Sequence, residues 1–246
     1  MVSKAQVGST ARQDRDRTDL SSHSLVKKAL GGVVKLARVA KCEGQGVRKD
    51  KLKPITKPQL ELFVKQLDSA EYNGVLLAAM YILAFRAGLR CGELVYAARG
   101  KHTLTKEAVR VLTVGGREVL SLTFTTYKHS GTQDPFVLHI PATNDLTCPV
   151  AAVRSFARLR PNIPGTFFVS QVGTNITRNF FAKALQTSCK QAGYHERDYN
   201  THSFRSGFVT HLAAVGVPMA KIKILGRWKS DAHEGYNRPT NYTIPT

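Results

Sequence analysis

One stretch near the C-terminus, 201-THSFRSGFVTHLAAVGVPMAKIKILGRWKSDAHEGY-236, decides the fold of this chain. Apolar residues recur at helical spacing over 204–215, which predicts an amphipathic helix. Gly216 and Pro218 interrupt that pattern, and a second short helix is predicted over 220–225. The stretch therefore predicts two consecutive helices followed by a turn.

Four side chains in the same stretch suit attack on a phosphodiester. His202 and Arg205 are three residues apart, so they lie about one turn apart on one side of the first helix. An arginine binds phosphate oxygens with its planar fork, while a histidine and an indole N–H donate further hydrogen bonds. Trp228 is the only tryptophan in the chain, and Tyr236 supplies an oxygen nucleophile.

The order of these residues resembles the C-terminal signature of the tyrosine recombinase (phage integrase) family. The signature consists of HSFR at 202–205, LGRW at 225–228 and the tyrosine at 236. The wording GRWKSDA at 226–232 is most similar to recombinases of DIRS-type retroelements, which implies a mobile element of the retrotransposon kind. The resemblance covers roughly residues 53–236.

The resemblance implies a function for the chain. A site-specific recombinase or integrase of this family cuts and rejoins DNA strands through a 3′-phosphotyrosyl intermediate. Because that covalent link stores the energy of the broken bond, the reaction needs no ATP, metal or other cofactor. The implied partners are double-stranded DNA and further copies of the chain, usually as a tetramer on two DNA sites.

Two segments upstream complete the site that the resemblance implies. Arg90 and Glu93, in GLRCGEL, match the family's first box, where the arginine binds the scissile phosphate and the acid lies close by. Lys128, in a predicted turn between two strands, matches by position the lysine that protonates the leaving 5′-oxygen; His129 beside it is taken as a bystander. The implied catalytic residues are Arg90, Lys128, His202, Arg205, Trp228 and Tyr236, with Glu93 in support.

Each of these residues has a role in the family's chemistry. Tyr236 is the implied nucleophile, and Arg205 clamps the non-bridging oxygens beside Arg90. His202 is expected to hold the phosphate and assist proton transfer. Two arginines that converge on one site need an anionic partner to offset their repulsion. Trp228 stands where the family has His or Trp, and plain core packing remains an alternative reading of it.

The composition favours a nucleic-acid partner. Thirty-six Lys and Arg against seventeen Asp and Glu give a net charge of +19, with a pI near 10.1. No apolar run reaches the ~18 residues that a membrane span needs. Four scattered cysteines show no zinc spacing and suit a reducing compartment. With no signal-peptide core, we expect an intracellular protein, nuclear if eukaryotic and otherwise cytoplasmic.

The chain divides into two predicted parts. Residues 1–52 are polar and basic, and we expect them to form a disordered tail and linker. Residues 53–246 are the predicted catalytic domain. The family's usual N-terminal helical domain, which closes a clamp on the DNA, needs more residues than the expected tail contains.

The predicted fold is α+β, mainly helical with a small three-stranded antiparallel sheet. Strands with β-branched residues form a meander, in which Gly115-Gly116 makes the first turn. A largely apolar segment at 73–87 is the expected core helix. The other predicted elements are helices at 57–67, 148–160 and 175–192 and strands at 108–114, 118–126 and 135–140.

Two other functions stay open at the level of sequence. The chain could be a domesticated or truncated recombinase that binds DNA without strand exchange. It could also be a nicking-closing enzyme like the type IB topoisomerases, which share the same chemistry. All six implied catalytic positions carry chemically competent residues, which argues against a decayed enzyme.

Overall fold

The computed structural model describes residues 52–96, 102–125 and 135–228 of the chain. The predicted tail, Lys128 with its turn, and Tyr236 therefore lie outside the described residues. None of the described helices combines the length and apolar character needed to span a membrane. The helices are α1 (Lys57–Gln66), α2 (Tyr72–Arg86), α3 (Cys91–Leu94), α4 (Pro149–Leu159), α5 (Arg178–Gln191), α6 (His202–Ala214) and α7 (Met219–Leu225).

The small sheet has the predicted order and direction. Strands β1 (Val109–Val114), β2 (Arg117–Phe124) and β3 (Phe136–Pro141) pair antiparallel in the order β1-β2-β3. Gly115 and Gly116 have φ values of 56° and 75°. A two-residue hairpin turn with positive φ at both positions suits the right-handed twist of the strands, and glycine adopts it without steric cost.

Helix α2 is the centre of the core. Its residues Tyr81, Leu83 and Phe85 are almost completely buried. The helix contacts α1, α4 and α6, so it is surrounded on several sides, as its nearly continuous apolar sequence predicts. The combination of these helices with the small sheet confirms the predicted α+β fold.

Helix α5 begins later than the sequence pattern predicts. Thr177 is its N-cap, and the Thr177 hydroxyl accepts a hydrogen bond from the Phe180 N–H at 3.2 Å. Asn175, which we expected inside the helix, instead pairs with Val169 in a short antiparallel bridge. The threonine cap, whose side chain satisfies an otherwise unpaired amide, therefore sets the start of the helix. A short 3₁₀ turn at Glu196–Asp198 was not predicted.

The segment before α1 holds α6 in place. The Ile55 N–H donates to the carbonyl of Ser203 at 3.0 Å, and the Lys53 N–H donates to the carbonyl of Asp198 at 2.8 Å. Gly207 lets the backbone approach closely, because a Cβ there would lie 2.0 Å from the Ile55 carbonyl oxygen. This contact fixes the first half of α6, which carries His202 and Arg205.

Gly207→Ala should therefore destabilise the protein. The added methyl would meet backbone rather than a movable side chain, so the free energy of unfolding should fall by about 1–3 kcal/mol in chemical denaturation. Gly92→Ala is the matched control, because a Cβ at Gly92 meets nothing within 4 Å. An equal loss of stability in both variants would show that the close approach at Gly207 is unimportant.

Candidate active site

Arg90 and Glu93 form a local pair at the start of α3. Arg90 is the N-cap of this helix, and its backbone N–H donates to Glu93 Oε2 at 2.8 Å. The Arg90 Nη1 donates to the other carboxylate oxygen, Oε1, at 3.1 Å. The spacing of three residues allows both contacts, because a side chain at the third helical position reaches back to the cap. The Arg90 guanidinium is thereby tied to one carboxylate.

Glu93 is a buried carboxylate with a second arginine partner. Only 1% of the residue is exposed, and Arg227 Nη2 lies 2.7 Å from Glu93 Oε2. Burial by itself raises the pKa of Glu93. The opposite effect is larger, because the pKa is lowered by the charges of Arg227, Arg90 and Arg205 and by the backbone hydrogen bond from Arg90. The net shift is downward, so Glu93 is ionised at neutral pH.

Arg205 joins two turns that are far apart in the chain. Its guanidinium donates hydrogen bonds to the carbonyls of Gly88, between α2 and α3, and Gly226, after α7. Arg205 is only 2% exposed, and its guanidinium carbon lies 3.8 Å from the centroid of the Trp228 ring. Through Arg205, helix α6 is therefore hydrogen-bonded both to the segment just before Arg90 and to the LGRW turn.

Trp228 packs directly on this arginine. An indole ring over a guanidinium is an attractive cation–π arrangement. The neighbouring Gly226 makes room for the ring, because a Cβ there would lie 1.4 Å from the Trp228 ring. Trp228 is half-buried and also contacts the small apolar cluster of Phe208, Val209 and Ile222. The ring is therefore packed and also lies beside Arg205, and its catalytic role stays a prediction.

His202 is the first residue of α6 and is exposed. Its backbone N–H donates to the Asn200 side-chain oxygen at 2.8 Å, which fixes the start of the helix. Because His202 precedes Arg205 by three residues, both side chains leave the same side of the first turn.

The structure therefore brings together Arg90, Glu93, Arg205 and Trp228, with His202 one helical turn away. Lys128 and Tyr236 lie outside the described residues, and their roles stay predictions. Arg227 was not predicted as a site residue, because an arginine between Gly226 and Trp228 gives no signal of its own. The only indication was its place inside the LGRW motif.

The cluster carries a net positive charge. Arg90, Arg205 and Arg227 surround the single carboxylate of Glu93. The Arg227 side chain is fully buried and Arg205 nearly so, whereas 21% of the Arg90 side chain is exposed. Like charges held this close are stabilised by an anion. The arrangement is suited to binding a phosphate that enters from the Arg90 side.

A separate cleft of about 550 Å³ lies at the sheet, and none of these site residues lines it. Among its lining residues are Thr105, Arg110, Ser121 and His139. In the part of the chain that the structure describes, no group of three or more His, Cys, Asp and Glu side chains is placed to hold a metal ion.

Comparison with known proteins identifies the family. The model of the phage integrase family matches residues 53–240, which is most of the chain. The chain therefore belongs to the phage integrase, or tyrosine recombinase, family. No curated protein matches it.

Solved structures of recombinases share the fold. XerH site-specific recombinase bound to a palindromic difH substrate, in a post-cleavage complex, is 14% identical with a TM-score of 0.58, and the match covers 78% of this chain and 51% of that one. XerA recombinase is 13% identical with a TM-score of 0.57, and the match covers 80% of this chain and 62% of XerA. A lambda integrase dimer bound to a COC′ core site is 14% identical with a TM-score of 0.54, and the match covers 90% of this chain and 60% of the lambda integrase chain. This chain thus spans about half to three fifths of their lengths.

Glu93→Gln should cost the protein stability at neutral pH. The substitution leaves Arg227 buried without its counter-charge, so the free energy of unfolding should fall by about 3–5 kcal/mol. Because the folded pKa of Glu93 is depressed, its contribution is present above the unfolded value of about 4.3 and is lost as the pH falls through the folded value.

The difference in stability between wild type and Glu93→Gln should therefore narrow below about pH 4, measured by urea denaturation at several pH values. Glu118→Gln is the control, because Glu118 pairs with Arg154 at an exposed position and should matter little. If the difference in free energy of unfolding between wild type and Glu93→Gln stayed constant from pH 7 to pH 3, Glu93 would not have a lowered pKa in the folded protein.

Proposed function

We propose that this chain is a site-specific DNA recombinase that cuts and rejoins DNA strands through a phosphotyrosyl intermediate. One observation carries the proposal. Arg90 and Arg205, 115 residues apart in the chain, meet at the turn of the LGRW motif. Arg205 donates to the Gly226 carbonyl, and Arg90 Nη2 donates to the Arg227 carbonyl at 3.3 Å.

The arrangement supports phosphoryl transfer because groups of the protein itself hold the arginines in position. The guanidinium groups are held by backbone carbonyls and by Glu93, so they need little reorganisation to meet the charge that develops on a pentavalent phosphate. His202, exposed beside them, can donate a further hydrogen bond or carry a proton. The net positive charge of the cluster favours the anionic transition state.

The proposed reaction proceeds in two balanced steps. The Tyr236 hydroxyl gives its proton to His202 and its oxygen attacks the phosphorus, so a 3′-phosphotyrosyl bond forms. The bond from the phosphorus to the 5′-oxygen breaks, and that oxygen takes a proton from Lys128. In the second step a 5′-hydroxyl gives its proton to Lys128 and attacks the phosphotyrosyl phosphorus, which restores the phosphodiester. The Tyr236 oxygen leaves and takes its proton back from His202. No oxidant, metal or nucleotide cofactor is consumed.

The wider biological setting is also part of the proposal. XerH and lambda integrase are bound to DNA in the structures named above, which supports double-stranded DNA as the substrate here. The GRWKSDA wording supports a DIRS-type retroelement as the source, with nuclear action in a eukaryote. Assembly as a tetramer on two DNA sites follows from the resemblance to the family.

Tyr236→Phe should abolish covalent attachment to DNA. We would incubate the purified chain with a pool of nicked duplexes that are randomised around the nick, because the target sequence is unknown. Loss of the short strand beyond the nick traps the cleaved state, and a denaturing gel shows the covalent complex. Removal of the phenolic oxygen should reduce this complex by at least about a thousandfold.

Tyr242→Phe is the matched control, because it removes the same atom six residues further on and should leave the complex intact. A band that persists in Tyr236→Phe would place the nucleophile elsewhere. If wild type shifts the duplexes on a native gel and gives no covalent band, the chain is a DNA-binding module that does not cleave.

Lys128→Ala should retain cleavage only on a substrate with a better leaving group. A bridging 5′-phosphorothiolate leaves as a thiolate, and a thiol has a far lower pKa than an alcohol, so it needs no proton donor. The variant should therefore be slow on ordinary DNA and close to wild type on the phosphorothiolate. Equal slowing on both substrates would exclude Lys128 as the proton donor.

A further inference from the structure

Arg227 occupies a backbone conformation that arginine rarely adopts. Its φ is +57°, and among the described residues it is the only non-glycine residue with positive φ. The left-handed conformation brings Cβ close to the following carbonyl and is unfavourable for L-residues other than glycine, with asparagine and aspartate as milder exceptions. Glycine would satisfy this turn without strain, so the presence of arginine points to a need for its side chain.

The Arg227 side chain contacts three parts of the site. Its Nη2 donates to Glu93 Oε2 at 2.7 Å, and its Nη1 donates to the Leu225 carbonyl at 3.2 Å. The guanidinium carbon lies 4.2 Å from the ring centroid of Phe124, the last residue of β2. Lys128 follows Phe124 by four residues in the chain. The arginine therefore links α3, the LGRW turn and the end of β2.

Arg227 acts on the first signature arginine by two routes. Glu93 binds Arg227 through Oε2 and the Arg90 side chain through Oε1. Because Arg227 orients the carboxylate, it also orients the oxygen that accepts from Arg90. The Arg227 carbonyl also accepts directly from Arg90 Nη2 at 3.3 Å. The same left-handed turn directs the next residue, Trp228, towards Arg205.

Arg227 itself cannot meet DNA, because none of its side chain is exposed. Arg160 offers a useful contrast within the same chain. It is also buried, yet the partners of its guanidinium among residues 52–96, 102–125 and 135–228 are the backbone carbonyls of Pro161, Ile163, Thr166 and Phe167. That pattern stabilises a loop, whereas Arg227 binds the residues that surround the phosphate site.

We propose that Arg227 is a positioning residue that orients Arg90 and Trp228 for strand cleavage. This inference rests on the proposed function for its effect on rate. The orientation of Trp228 is a separate consequence that holds whether or not the chain cleaves DNA.

The first test separates the side chain from the backbone turn. Arg227→Met keeps much of the side-chain length, and Arg227→Gly relieves the unfavourable φ. Both should slow formation of the covalent complex with the randomised nicked duplexes about 100-fold, the effect of a small misplacement of catalytic groups. Binding of an unnicked duplex at low salt should change by less than about threefold, because other phosphate contacts remain. Wild-type cleavage by Arg227→Gly would overturn the proposal.

Arg160→Met is the control for general damage to the core, with thermal melting recorded for every variant. It should lower the melting temperature and leave the cleavage rate of the folded protein within about threefold of wild type. If Arg227→Met and Arg227→Gly do not fold, Arg227→Lys replaces them, since it keeps the charge and loses the planar fork. The lysine variant should be folded and at least about tenfold slower; a wild-type rate would overturn the proposal.

The pH profile distinguishes positioning from a purely structural role. Glu93 faces Arg227, Arg90 and Arg205, and loss of Arg227 removes the largest charge that opposes the effect of burial on its pKa. The pKa of Glu93 should therefore be higher in Arg227→Met than in the wild type, so as the pH is lowered the cleavage rate of Arg227→Met should begin to fall at a higher pH than the rate of the wild type. A ratio of the two rates that does not change with pH would contradict the proposal.

Fluorescence of the single tryptophan provides a readout that does not need cleavage. Arg227→Gly should increase the quenching of Trp228 by acrylamide. Glycine can adopt the turn, but without the side-chain contacts to Glu93 and Phe124 the turn no longer holds the indole ring against Arg205. Arg160→Met should leave the quenching unchanged. If wild type forms no covalent complex, the proposed function fails, and the quenching result still decides this inference. Equal quenching in wild type and Arg227→Gly would overturn it.

Discussion

A single buried carboxylate, Glu93, holds the two halves of the candidate site together. One oxygen accepts from the Arg90 guanidinium, and the other accepts from the Arg90 backbone and from Arg227. An ionised carboxylate in this position is unfavourable unless its charge is offset, so the arginines must stay in contact with it. The contact between Glu93 and Arg227 joins residues 134 positions apart in the chain and restricts where the guanidinium groups can lie.

The glycines that bind Arg205 are as important as the charged residues. Gly88 and Gly226 supply the carbonyls that accept from Arg205, and neither position has room for a side chain. A Cβ at Gly88 would meet the Phe208 ring at 2.6 Å, and a Cβ at Gly226 would overlap Trp228. Close packing of backbone and rings thus places the Arg205 guanidinium between two turns, and such packing keeps the side chain in one orientation.

Local signals in the sequence predicted most of the elements. The apolar run at 73–87, the Gly115-Gly116 turn and the alternating strands gave the core helix and the meander, because each pattern reflects a single element. The predicted start of α5 was wrong. The sequence pattern allows a helix from residue 175, but the Thr177 cap and the bridge between Val169 and Asn175 make the helix begin at Arg178. Arg227 was missed for a different reason. Its importance comes from contacts with Glu93 and Phe124, which are distant in sequence and leave no periodic or spacing signal.

Glu93 and Arg227 stabilise the site as one unit, and a double-mutant cycle measures their coupling. Free energies of unfolding would be measured by urea denaturation for wild type, Glu93→Gln, Arg227→Met and the double variant. The double variant should lose less stability than the two single losses added together, by at least about 1.5 kcal/mol, because it does not leave the Arg227 charge buried without its carboxylate partner. Losses that add to within about 0.5 kcal/mol would contradict the account.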